Sequence, residues 1–183
     1  MKYVAISLLI YVATAISLAH AQVPHILGNW ELNVEASLAA SELPEGFSVP
    51  AIETERRTYL ERDDGYLVGL SVTILNDGSI NFLQFTAKTD GKEYPEHNIA
   101  TLSDFQATGA STPMAYSERR VDEYTVEVTD KTDGNVTFVG TRSVSEDGNT
   151  MTIEWDEMGP DGDTIQWKLV YDRVLPVARR PVR

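Results

Sequence analysis

The residues that could do chemistry in this chain are few. His97 stands in Tyr94-Pro95-Glu96-His97-Asn98. An imidazole beside a carboxylate can act as a general acid or base, because its pKa lies near neutrality. His97 is therefore the candidate catalytic residue; a solvated loop histidine is the plain alternative. Arg142 and Arg173 end two alternating runs, Val136-x-Phe138-x-Gly140-x-Arg142 and Trp167-x-Leu169-x-Tyr171-x-Arg173. A guanidinium facing an apolar interior is costly unless paired, and it can grip a carboxylate with two parallel hydrogen bonds. Arg142 is thus a candidate ligand anchor, against a rim position or a pairing with an internal acid such as Glu157. Glu154 and Asp156 share one strand face opposite Glu157, which suits a carboxylate dyad, a calcium site or simple solvation. Asp161-Gly162-Asp163 resembles part of a calcium loop without the remaining ligands. Hydrolase elbows, phosphate loops, zinc motifs and dinucleotide fingerprints are absent, and there is no cysteine. No metal site and no cofactor are expected.

The compartment follows from the first residues. Lys2, the apolar run Tyr3 to Leu18 and Ala19-His20-Ala21 read as a cleavable signal peptide over 1–21. The expected mature chain starts near Gln22, holds 162 residues and forms one domain over 22–178, with a basic tail at 179–183. Secreted or periplasmic localisation is expected, with no membrane span after cleavage. Loss of Lys2 moves the formal net charge from −13 to −14, which repels nucleic acid. Oligomeric state is open.

The elements that must hold these residues are set by turns. Gly65, Gly78 and Gly91 lie 13 apart; Gly134, Gly148 and Gly162 lie 14 apart; each follows an aspartate. Asp-Gly supplies the positive φ of tight hairpins. The segments between read as antiparallel strands joined in sequence. Strands are predicted near 28–33, 52–62, 66–75, 79–88, 115–121, 124–129, 136–145, 150–157 and 164–174, with a short helix over 34–41. The 43-residue gap from Gly91 to Gly134 breaks the stride, and most of 93–114 reads as a long irregular loop. The fold class is all-β: one up-and-down antiparallel barrel of about 8–10 strands with one or two short helices at most.

If the apolar phase of each strand points inward, the interior receives Val68, Leu70, Val72 and Ile74, then Tyr124, Val126, Val128, Phe138, Met151, Ile153, Trp155, Ile165, Trp167, Leu169 and Tyr171. A barrel of this size can be filled or can leave room for one small ligand. The candidate ligand-binding set is Arg142, Tyr124, Phe138, Trp155, Trp167 and Tyr171. The leading expectation is a carrier or sensor for a small apolar or amphipathic molecule. The alternative is a cofactor-free barrel enzyme, an isomerase, cyclase or lyase, working in the same cavity. A structural envelope role needs no cavity at all.

Gly28-x-Trp30 in the first strand and Arg173 in the last resemble the calycin group, the lipocalins and fatty-acid-binding proteins. That resemblance implies a barrel whose closed end is sealed by Arg173 packed across Trp30. The segments Gly28-Asn-Trp-Glu-Leu-Asn33, Thr86-Ala-Lys-Thr-Asp-Gly-Lys-Glu-Tyr-Pro95, Gly140-Thr-Arg142, Ser145-Glu-Asp-Gly-Asn-Thr-Met151 and Val170-Tyr-Asp-Arg-Val174 are similar to small exported bacterial lipocalin-like proteins without an assigned function. The Thr-Asp-Tyr motif of lipocalins is not evident. Leu169 stands where the Arg-x-Tyr pair of fatty-acid binders would put arginine, so fatty-acid binding is not implied.

Overall fold

In a computed structural model that describes residues 24–41, 52–98, 113–158 and 164–175, the turn ladder folds into hairpins. Gly65, Gly78, Gly91, Gly134 and Gly148 all have φ between 71° and 81°. The aspartates contribute in another way than expected. Only Asp133 itself adopts positive φ, at 51°. Elsewhere the aspartate side chain closes the turn: Asp77 Oδ1 accepts from the Ser79 amide at 2.8 Å, and Asp147 Oδ1 accepts from the Asn149 amide at 3.0 Å. The expected signal peptide, the basic tail and Asp161-Gly162-Asp163 lie outside the described residues.

A 3-10 turn (Pro24–Ile26) leads into β1 (Gly28–Leu32) and the short helix α1 (Val34–Ala40). Nine further strands follow: β2 (Ile52–Glu61), β3 (Leu67–Leu75), β4 (Ile80–Ala87), β5 (Tyr94–Asn98), β6 (Met114–Arg120), β7 (Thr125–Thr132), β8 (Asn135–Val144), β9 (Thr150–Met158) and β10 (Thr164–Val174). Each pairs antiparallel with its sequence neighbour, and β1 pairs with β10, so the sheet is a closed ten-strand meander barrel. Closure leaves no free edge in the ring. β1 is too short to cover the whole of β10, and α1 completes the seam. Asn33 caps the helix by accepting from the Ala36 amide at 2.9 Å. Ser37 Oγ then accepts from the Val170 amide at 2.8 Å, and Ser41 Oγ from the Lys168 amide at 3.0 Å. Two hydroxyls thus stand in for a missing strand partner.

Two expectations are corrected. Tyr94–Asn98 is a strand rather than loop, while 99–112 lie outside the described residues. Pro95 hid it, since proline lacks the N–H a ladder uses; β5 pairs with β6 only through Tyr94–Tyr116 and Pro95–Ala115. The apolar phase of β3 also points outward. Leu70 and Val72 are 42% and 37% exposed, whereas Leu67, Gly69 and Ser71 are buried. The inward positions suit small residues: a Cβ on Gly69 would sit 2.3 Å from Cζ of Phe85, and Ser71 is needed as a hydrogen-bond donor to Glu55.

Candidate functional site

Period-two alternation on five strands turns charged groups into the barrel, where three clusters form. In the first, Glu55, Arg57 and Tyr59 follow one another along the inner face of β2. Arg57 Nε donates to Glu55 Oε1 at 2.5 Å and to Tyr171 Oη at 3.1 Å. The Tyr171 hydroxyl and Ser71 Oγ also donate to Glu55 Oε1, at 3.1 and 2.9 Å. Burial alone would raise the Glu55 pKa. The Arg57 charge and the three hydrogen bonds more than offset it, and the carboxyl is held below its usual range.

The second cluster joins β6 to β8. Arg142 Nη2 donates to Glu118 Oε2 at 2.7 Å, and Nη1 donates to Tyr116 Oη at 3.1 Å. The Tyr116 hydroxyl donates in turn to Glu118 Oε2 at 2.6 Å. The Arg142 guanidinium also lies 4.8 Å from the centre of the Tyr59 ring. Burial pulls its pKa down, but Tyr116 and Glu118 prevail and it stays protonated. Arg142 is therefore an interior cation, already paired with Glu118.

The third cluster is Glu96 on β5 with Asp130 on β7. Glu96 is 3% exposed, and its carboxyl lies within hydrogen-bonding reach of the Asp130 carboxyl. Two carboxylates offer only acceptors, so the contact requires a proton between them. Desolvation first, then the Asp130 charge, pushes Glu96 up to about 8. Asp130 is raised to about 6 by desolvation, moderated by Glu96, Arg57 and Arg142. These values belong to the pair as a unit.

A cavity of about 210 Å³ lies among these groups. Arg57, Asp130 and Arg142 form its charged side; Leu83, Val128, Phe138, Ile153, Trp155 and Leu169 form its apolar side. A second space of about 320 Å³ shares Arg57 and Leu83 and is otherwise lined by Ser71, Thr73, Asn81, Phe82 and Asn98.

Of the residues singled out in the sequence, Arg142, Phe138 and Trp155 line the cavity together. Trp167 stacks behind Trp155 with ring centres 5.8 Å apart, and Tyr171 braces Arg57. Tyr124 lies beyond the cavity near the closed end, 4.8 Å from the His25 ring. His97 is exposed and pairs with Gln84 on the outer face of β5, away from the cavity. Arg173 sits 4.2 Å from the Trp30 ring centre and donates to the carbonyls of His25, Leu27 and Gly148. Trp30 Nε1 donates to the Ile26 carbonyl at 2.8 Å. Glu154 pairs outward with Lys168 at 2.8 Å; the Glu157 side chain lies outside the described residues.

The unforeseen members are Glu55, Arg57, Ser71, Glu96, Tyr116, Glu118 and Asp130. Their signal is present in the chain as like-faced polar pairs two residues apart, Glu55-x-Arg57 and Tyr116-x-Glu118. Among the described residues no cluster of His, Asp and Glu could hold a metal ion, and no helix is long and apolar enough to cross a membrane. No protein-family model and no curated protein matches this chain. The arrangement itself, a divided cavity inside a closed barrel, is what bears on function.

Proposed function

We propose that the protein is an exported carrier or sensor that binds one small amphipathic molecule inside its barrel. The observation that supports this is the divided wall of the 210 Å³ cavity, with Arg57, Asp130 and Arg142 facing an apolar side that includes Phe138 and Trp155. Ligand sites combine apolar area with a few placed polar groups in this way. The cavity volume restricts the buried part of the ligand to a small molecule. Native mass spectrometry of the purified protein, before and after incubation with metabolite and lipid extracts, tests the reading. A retained species that is lost from a Trp155→Ala variant is expected. A barrel that retains nothing from any extract overturns it.

A second reading makes the cavity the site of a cofactor-free isomerase, cyclase or lyase. The proton held between Glu96 and Asp130 beside the cavity favours it, since such a pair can both give and accept a proton. Asp130→Asn would then abolish turnover of a bound metabolite, and His97→Ala would leave it intact. Turnover lost with His97→Ala and kept with Asp130→Asn would reject this assignment.

A further inference from the structure

We propose that the cavity selects a small cationic ligand, a primary ammonium carrying an aromatic or branched apolar group, whose N–H groups replace the proton shared by Glu96 and Asp130. This rests on the carrier reading and names the ligand class for it.

The charge inventory points to a cation. Among the described residues, four interior carboxyls (Glu55, Glu96, Glu118 and Asp130) face two interior guanidiniums. Each guanidinium already holds one carboxylate, Arg57 through Nε to Glu55 at 2.5 Å and Arg142 through Nη2 to Glu118 at 2.7 Å. An incoming carboxylate would add a further negative charge to an interior that already holds more acids than guanidiniums, which is costly. An ammonium displaces only a proton.

The hydrogen-bond inventory agrees. Beyond the proton that Glu96 and Asp130 share, no group donates to the buried oxygens Glu96 Oε2, Asp130 Oδ1 and Glu118 Oε1, against one fully buried donor nearby without a partner, Arg142 Nε. Glu96 and Glu118 are 3% and 1% exposed, so bulk solvent does not reach these carboxyls. An ammonium brings three donors and no acceptor, which is the complement of this set. The apolar body of the ligand would lie on Phe138 and Trp155, whose rings are 5.6 Å apart and also favour a nearby cation.

The exchange is a balanced one: the ammonium enters intact, one proton leaves the acid pair for solvent, and no covalent bond changes. The groups facing the pair are Arg57 from β2, Tyr116 and Glu118 from β6 and Arg142 from β8. Phe85 from β4 is the cross-strand neighbour of Glu96 and carries no charge. The guanidiniums keep their charge throughout this range, so proton release is assigned to the acid pair.

The test uses 2-phenylethylamine, 2-phenylethanol and phenylacetate as matched cationic, neutral and anionic probes. Binding is read by Trp155-dependent fluorescence, and by calorimetry in buffers of different ionisation enthalpy. The amine is expected to bind at least about tenfold more tightly than the other two. It should release close to one proton and gain about tenfold in affinity per pH unit below the pair's upper titration. Glu96→Gln and, independently, Asp130→Asn should abolish the proton release and the pH slope while retaining cooperative thermal unfolding. Tighter binding of phenylacetate, amine binding without proton release, or no binding of the amine overturns the proposal. The carrier reading is decided separately, by the species retained from extracts.

Discussion

The two walls of the barrel obey opposite rules. On β9 and β10 the apolar phase points in, with Met151, Ile153, Ile165 and Trp167 buried, while Glu154 and Lys168 pair across the outer surface. On β3 the apolar phase points out: Leu70 and Val72 meet solvent, and Gly69 and Ser71 occupy the interior. The difference shows that amphipathic alternation names two faces without naming which is inside. Where the interior is dry, the apolar face wins. Where it must hold Glu55 and Arg57, a hydroxyl and a missing side chain are worth more than two aliphatic residues. The cost of an exposed leucine is modest, whereas an unpaired buried carboxylate costs several kcal/mol.

This contrast can be broken from the polar side first. Glu118→Ala leaves the Arg142 guanidinium buried beside Tyr116 without its carboxylate, and a loss of about 3–5 kcal/mol is expected in denaturant unfolding. Next is Gly69→Ala, whose methyl would press on the Phe85 ring. Overpacking of this kind costs about 1–3 kcal/mol, read as a lower denaturation midpoint with an unchanged slope.

A smaller effect sharpens the comparison through pH. The folded Glu96–Asp130 pair keeps a proton that an unfolded glutamate releases near 4.5, so its contribution to stability is complete below that value and is lost as pH rises through about 8. Glu96→Gln should flatten this decline in melting temperature measured across the range. Glu55 has the opposite sign: its lowered pKa stabilises above the ordinary carboxylate range and is lost in acid. Glu55→Gln should therefore change the acid limb and leave the alkaline one. The smallest effect is expected on the outer wall, where Leu70→Thr should shift stability by no more than about 0.5 kcal/mol in the same denaturant assay. A larger loss there would mean that the outward row of β3 is covered in solution.

The barrel itself was legible because its turns are local. Asp-Gly pairs at a steady stride mark where strands end, and the predicted bounds of the paired strands agree with the observed ones to within a few residues. β5 escaped because Pro95 and a broken alternation hide a strand that pairs only briefly with β6. The site was half legible. Arg142, Phe138 and Trp155 lie on strands whose apolar phase does face inward, so the simple rule reached them. Glu55, Arg57, Glu96, Glu118 and Asp130 escaped because the same rule sends charge outward. Their partners also come from distant chain segments: Glu55 meets Tyr171 across 116 residues, a contact no local pattern announces.

The seal made by Arg173 has a consequence for the order in which the chain can be assembled. Every other pair in the ring joins consecutive strands and can zip up as soon as its hairpin exists. Trp30 must wait for the Arg173 guanidinium, which lies 146 positions beyond the Leu27 carbonyl it also binds. During synthesis β1 can pair with β2 early, but its other edge waits for β10, and that seam bears the largest loop-closure entropy in the ring. A long waiting strand would invite a foreign edge. At five residues, β1 offers little to pair with, and its second partner arrives together with the arginine that locks it.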